Sequence, residues 1–338
     1  MKFFIRIFSV LVPMCLVING LRAQDIHFTQ YLASPLSLNP AETGHFDGNW
    51  RFSNNYRNQW SSIGVPYKTI SVGIDKPFRV KKGAIGLGLY FVNDKSSSAF
   101  LTENKVLLSF TYHLKFADKH NLGIGVQGGY VVKSFQSNDL TFPSQFNESS
   151  GVFDNSLENN LEQIDENINY PDLNIGLVYS NNGQKIKPVV GFSVFHINSP
   201  KKSFLREDDK LAPRIVAHAN LRYLLNKNIY IKPHALFMFH KGAKDVVAGI
   251  EGGYLMPEKY LLDIIYLGVQ SRTGFSTFDA ISPVLGVGLF NFEIAVSYDL
   301  NISQLRSVSN MKGAFEISLI YKNLYKVLET ITLPCDRY

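Results

Sequence analysis

The residues that could carry chemistry are scattered along the chain. Gly123, Gly125 and Gly128 spell GxGxxG, a spacing that lets backbone approach a pyrophosphate when it opens a helix after a buried strand. Leu122, Ile124 and Val126 alternate with these glycines, so the run reads instead as a strand with small residues on a curved surface. His113, His120, His196, His218, His234 and His240 sit on different segments without HxxxH spacing. Barrel closure alone could gather them around a metal. No GxSxG elbow or paired local acid motif is present, which leaves no nucleophile with a recognisable base. The expectation is a protein that is not an enzyme and needs no metal or cofactor. An outer-membrane hydrolase assembled from distant strand ends is the catalytic alternative. Between Ser134 and Asn169 stand Asp139, Glu148, Asp154, Glu158, Glu162, Asp165 and Glu166 without a Lys or Arg. They lack the DxDxDG order of a calcium loop.

Those residues hang on elements with a period of two. Phe292, Ile294, Val296, Tyr298 and Leu300 alternate with Glu293, Ala295, Ser297 and Asp299, the pattern of a strand with one apolar face. Phe315, Ile317, Leu319 and Tyr321 repeat it, as do Ile215, Ala217, Ala219, Leu221 and Tyr223 against Arg214, His218, Asn220 and Arg222. Further segments start near Trp50, Lys68, Ala84, Glu103, Asn121, Pro171, Lys187, Ile229, Val246, Tyr260 and Ile281. Together they predict an all-β fold, a transmembrane antiparallel outer-membrane β-barrel of about fourteen strands over residues 50–322. Connections alternate in length: Phe116 to Lys119, Asn181 to Gln184, Asn226 to Asn228, Met256 to Lys259 and Phe290-Asn291 are short, and Lys76 to Gly83 is modest. Ser134 to Asn169, Asn198 to Leu211, Ser271 to Ala280 and Asn301 to Lys312 are long, as outer loops are.

Lipid cannot satisfy a charge. Asp75, Arg214, Arg222, Lys232, Glu251, Asp263, Glu293, Asp299 and Glu316 are therefore expected to face the interior, and Tyr90, Tyr130, Tyr179, Tyr254 and Tyr298 to form an interfacial girdle. The acidic insertion at 134–169 is expected outside. Leu157, Leu161, Ile164 and Ile168 recur there at helical spacing, with Asn155 and Glu158 resembling a capping box. Lid, plug, docking surface and plain solvated loop all remain open readings for it.

The 338-residue chain has 45% hydrophobic, 13% aromatic and 18% charged residues, which excludes a disordered polyelectrolyte. Lys2 and Arg6 precede an apolar run from Ile7 to Ile18, and Gly20 to Ala23 supplies small residues, so residues 1–23 read as a secretory signal peptide. Cys15 lies inside that run after Val12-Pro13-Met14, a poor setting for lipidation. The leader holds three of the 34 basic residues and no acid, leaving 31 basic against 28 acidic and a net +3. Such a balance gives little support to a nucleic-acid partner. Cys335 is then the single mature cysteine, which excludes an internal disulfide.

Residues 24–49 form a lead-in that alternation does not explain. It runs Gln24-Asp25-Ile26-His27-Phe28-Thr29-Gln30-Tyr31, then Pro35 to Ala41, with Asn39-Pro40 favouring a turn and an ordered, nonhelical path. Asn55-Tyr56-Arg57-Asn58-Gln59-Trp60 and Pro66-Tyr67-Lys68-Thr69 follow. The start QDxxFxQY, the turn Asn39-Pro40-Ala41, the NYRNQW box, PYxT and a final strand with EISL, before LPC in a tail at 323–338, resemble the PorP/SprF family of the Bacteroidetes type IX secretion system. Ser34-Pro35 stands where that family often has Asn-Pro, and Cys335-Asp336 where it has Cys-Pro. The resemblance implies an outer-membrane barrel that docks or anchors exported cargo or adhesins carrying a type B C-terminal domain. It further implies periplasmic partners linked to the cell wall and, in some members, gliding motility. The positions it marks are Asn39, Pro40, Ala41, Asn55, Tyr56, Arg57, Asn58, Gln59, Trp60, Pro66 and Tyr67. Arg57 can make forked hydrogen bonds, and Tyr56 and Trp60 pair apolar bodies with polar tips, which suits holding the first loop across the barrel mouth, with direct cargo contact as the alternative role. The alternative function is a porin-like or substrate-specific channel for small solutes, supported by the interior charges.

Overall fold

A sheet with one apolar face satisfies every backbone group in lipid only by closing on itself, and the alternating segments do so. The computed structural model describes residues 27–62, 65–96, 101–117, 119–135, 143–154, 156–157, 167–203, 209–257, 262–274, 278–303 and 306–324. Its strands are β1 (Trp50–Gln59), β2 (Tyr67–Val80), β3 (Gly83–Ser96), β4 (Leu101–Phe116), β5 (His120–Ser134), β6 (Phe146–Asn147), β7 (Val152–Phe153), β8 (Asn167–Asn181), β9 (Ile186–Phe195), β10 (Arg214–Leu224), β11 (Ile229–His240), β12 (Ala243–Leu255), β13 (Leu262–Thr273), β14 (Phe278–Leu289), β15 (Phe292–Asn301) and β16 (Lys312–Asn323). All but β6 and β7, which pair only with each other, form a closed fourteen-strand antiparallel barrel. Closure joins β1 to β16 in the register Trp50↔Asn323 and Arg57↔Glu316. No described helix is long and apolar enough to cross a membrane; the strands make the crossing.

β4 shows how sequence sets the two faces. Val106, Leu108, Phe110, Tyr112 and Leu114 are exposed outward, while Ser109, Thr111 and His113 are buried in the lumen. The short connections at one end are residues 81–82, 117–119, 182–185, 225–228, 256–261 and 290–291, and by the loop-length rule that end faces the periplasm. β2 continues to Val80, so the turn expected over Lys76 to Gly83 contracts to residues 81–82. At the opposite end residues 241–242 are as short. Lys241 and Gly242 both take positive φ, 47° and 81°, the left-handed pair of a tight hairpin turn.

Asp75, Arg214, Arg222, Lys232, Glu251, Glu293, Asp299 and Glu316 face the lumen or its mouth. Asp263 does not: it is exposed, in phase with the outward-facing Ile265, Leu267 and Val269, beside an irregularity between Leu262 and Ile264 at the strand's periplasmic end where water is available. Tyr90 also departs from expectation. It points inward at 4% exposure against Leu36, because Ala84, Gly86 and Gly88 set the inward phase of β3. Tyr130, Tyr254 and Tyr298 are exposed on the outer face. Ile168 lies on β8 opposite Lys133 and so cannot extend a helix. The leader at 1–23, Asn155, Leu161, Ile164, Asp139, Glu158, Glu162, Asp165, Glu166 and the end of the tail with Cys335 lie outside the described residues.

Candidate functional site

The lead-in enters the barrel rather than lying beside it. Phe28, Tyr31, Leu36, Leu38 and Ala41 are all buried. Its path is not free of helix: Tyr31–Ala33 and Pro40–Glu42 are single 3-10 turns, and Pro35–Leu38 is one α-turn. Pro35 and Pro40 start these turns, where a missing N–H costs nothing. Such turns satisfy part of the segment's backbone locally, as in Asn39 N–H to the Pro35 carbonyl and Thr43 N–H to the Pro40 carbonyl.

Two carboxylates and an arginine clamp the outer end of this segment. Arg57 donates through Nη2 to Asp299 at 3.0 Å, through Nη1 to Glu316, and again to the Thr29 hydroxyl at 2.6 Å. Glu316 accepts the backbone N–H groups of Thr29 and Gln30 at 2.7 and 2.8 Å. Asp299 takes further hydrogen bonds from Thr29 and Ser282 at 3.0 and 2.6 Å, with Arg272 at 3.6 Å. Gln30 donates to Ser297 and accepts from Ser318. Tyr31 meets His234 at 2.7 Å. Burial, then the charge of Glu251, pushes the Tyr31 phenol above its usual range and keeps it protonated.

The middle of the segment is held by the Asn39-Pro40-Ala41 turn. Asn39 Oδ1 accepts the Ala41 N–H at 2.9 Å, and its Nδ2 donates to the Leu177 carbonyl at 2.8 Å. Thr111 donates to the Pro40 carbonyl at 2.8 Å. Wall glycines make room. A Cβ at Gly125 would lie 2.5 Å from the Ala41 nitrogen, and one at Gly176 would overlap Asn39 Oδ1. The GxGxxG run is thus in part the seat of this turn.

Towards the periplasm Arg51 forks onto Asp75 at 3.0 and 2.8 Å, and Asp75 accepts the Gly44 N–H at 2.6 Å. His45 bridges Glu42 at 2.6 Å and Ser180 at 2.9 Å. Burial opposes both charges of the His45–Glu42 pair, but each partner outweighs it. Glu42, helped by the positive charges around it, is lowered to about 2, and Glu42 raises His45 above the ordinary imidazole value. Below Thr29 to Ala33 an open cavity of about 350 Å³ remains at the periplasmic mouth.

Alternation splits the marked NYRNQW positions. Asn55, Arg57 and Gln59 face inward, Gln59 accepting from Arg57 Nε at 3.2 Å. Asn55 is buried with neither amide atom hydrogen-bonded. Tyr56 and Asn58 fall on the outward face in register with Ile70 and Lys68, so Tyr56 does not span the mouth. Trp60 leaves β1 at φ 57° and packs edge-on against Tyr67, which with Pro66 opens β2 and closes the first outer loop. Of the clamp partners, Glu316 opens the EISL box, whereas Thr29 and Asp299 fall at positions that no box marks. Their signal in sequence was a charge expected to face the interior for Asp299, and no more than a hydroxyl for Thr29. Among the described residues no group of three His, Cys, Asp or Glu could hold a metal ion; His113 bonds the Thr43 carbonyl and His196 pairs with Asp172.

The family model described as type IX secretion system membrane protein PorP/SprF matches residues 21–321, from before the clamp to the end of β16's lipid-facing run. The chain belongs to the PorP/SprF family. No curated protein matches it. Among solved structures, this PorP/SprF barrel is similar to the Pseudomonas putida toluene transporter TodX, at 11% identity, TM-score 0.50, covering 90% of this chain and 96% of that one. The CymD monoaromatic hydrocarbon channel gives 10% identity and TM-score 0.50, covering 87% and 93%. The Ralstonia pickettii toluene transporter TbuX gives 10% and 0.47, covering 87% and 94%. At these identities the likeness is one of fold: an outer-membrane β-barrel, here a PorP/SprF protein with its own N-terminal segment inside.

Proposed function

We propose that this PorP/SprF barrel is a closed docking platform of the type IX secretion system. It anchors an exported cargo or adhesin with a type B C-terminal domain at the cell surface, on the outer-loop side, and its role is not enzymatic. The observation that supports this is the lumen: residues 29–44 are hydrogen-bonded to the wall along its height, and in this reading the segment blocks the through-path a porin needs. In this reading cleavage after Ala23 releases a mature chain beginning at Gln24, Trp60 and Tyr67 order the first outer loop at the mouth, and periplasmic components tie the barrel to the cell wall. In a gliding host the anchored adhesin serves motility. Deleting the gene is expected to abolish surface display of the cognate cargo and leave outer-membrane permeability to small dyes unchanged. Normal display in the deletion strain refutes the proposal. The second reading, a channel for small solutes, draws on the toluene transporter and hydrocarbon channel similarities. Purified barrel in planar bilayers separates the two, since a platform is silent and a channel conducts.

A further inference from the structure

The cavity at the periplasmic mouth has a charge pattern that the clamp does not use. It holds about 350 Å³, within the range of ligand pockets, and Thr29 to Ala33 roof it. A solute entering from the short-turn end meets that roof, so the space suits binding rather than passage.

Both of its lining carboxylates are already engaged. Glu251 accepts from the Tyr230 hydroxyl at 2.8 Å and pairs with Lys232 at 3.4 Å. Glu293 does the same with Tyr266 at 3.1 Å and Lys322 at 3.4 Å. Of the three further cations in the lining, Arg51 is paired with Asp75 and two remain. Arg222 on β10 and Lys187 on β9 stand directly opposite each other in the ladder and line the same cavity. Cβ atoms at such positions are about 5 Å apart, and like charges there destabilise a sheet. Neither has a carboxylate partner among the described residues. The Arg222 guanidinium is 4.3 Å from the Tyr230 ring centroid, which orients its fork. A pair of opposed cations with no carboxylate between them is the arrangement an incoming anion completes. Ile264, Val284 and Ile320, on β13, β14 and β16, supply apolar wall elsewhere in the same cavity, so the anion that fits is one carried on an apolar body.

We propose that this mouth is a binding pocket for an acidic peptide segment presented from the periplasm. Arg222 and Lys187 hold a side-chain carboxylate, and the isoleucine and valine wall takes the neighbouring apolar residue. The site is separate from cargo docking on the outer side and stands whether or not that reading holds.

The test uses the full mature barrel in detergent and a fluorescent, acetylated and amidated peptide of alternating glutamate and leucine, read by anisotropy. Saturable binding is expected that weakens with added salt. Arg222→Gln and Lys187→Gln are each expected to weaken it about tenfold or more, the loss of one charge-assisted hydrogen bond. Heat-modifiable migration on gels checks folding. Should Arg222→Gln fail to fold, Lys187→Glu at the exposed rim carries the test and is expected to abolish binding. Three results each overturn the proposal: no saturable binding, equal binding of the lysine–leucine counterpart, or unchanged affinity in the folded variants. Inorganic phosphate binding as tightly as the peptide, and displacing it, overturns the peptide assignment in favour of a free anion.

Discussion

Replacing Arg57 with glutamine is expected to release the outer end of the lead-in while leaving the barrel wall closed. Arg57 is 3% exposed and bonds Asp299, Glu316 and Thr29 at once. Removing one partner of a buried ion pair costs about 3–5 kcal/mol, because the other charge stays buried without compensation. Here part of the loss is offset. Asp299 keeps Ser282 and Thr29 and has Arg272 at 3.6 Å, and Glu316 keeps two backbone N–H groups. The cost therefore falls at the lower end, about 3 kcal/mol, a factor on the order of a hundred in the ratio of seated to released segment. Planar-bilayer recordings of the purified variant are expected to show intermittent openings absent from the wild type, and added protease to reach the 27–34 segment faster. The triple variant Arg57→Met, Asp299→Asn, Glu316→Gln removes all three paired charges, leaves only the partly exposed Arg272 without its Asp299 partner, and is expected to recover part of the closure. Unchanged conductance and unchanged protease protection in Arg57→Gln would refute the clamp.

Asn39→Ala removes the bonds to the Ala41 N–H and the Leu177 carbonyl and is expected to lower stability by about 1–3 kcal/mol, read as a drop in Tm by circular dichroism. Gly125→Val drives a side chain into the Ala41 backbone, 2.5 Å from where its Cβ would stand, so conductance is expected to rise without change in the barrel's circular dichroism. The His45–Glu42 clip has a signed pH dependence. His45 is raised, so its contribution is full below its ordinary value of about 6.5 and is lost as pH rises through the higher folded value. Glu42 is lowered to about 2, so its contribution is present above its ordinary value and is lost as pH falls towards 2. NMR of labelled His45 in micelles is expected to show protonation persisting above the ordinary value, and a midpoint at or below it sinks this account. On the lipid face, Phe110→Arg near the middle of β4 is expected to cost about 2–4 kcal/mol, measured by urea unfolding in bilayers.

The lipid-facing half of the molecule was legible because the rule that sets it is local. Each residue of β4 or β16 faces lipid or lumen by parity, and lipid penalises a misplaced charge wherever it sits. The inward preference of charge lapses where water is available, as with Asp263 on the outward parity of β13 at a strand end, and parity cannot by itself say which face is inward, as with Tyr90. The short, periodic turns followed from the same pattern. The lead-in was recognisable as ordered from its prolines, but not its place inside the barrel. Its hydrogen-bonding groups find their partners on the wall, which no repeat along the chain records.

What the sequence determined alone was membership of a membrane barrel class, its strand number and the residue types that must line its interior. Only the tertiary structure decided that Arg57, marked as part of a local box, works with Thr29, Asp299 and Glu316, partners 28, 242 and 259 positions away. Pairing across such distances follows from barrel closure, which brings β1 against β16 and sets Arg57 opposite Glu316. A periodic pattern specifies a face, whereas a charge finds its partner through register and closure, and these are properties of the whole ring.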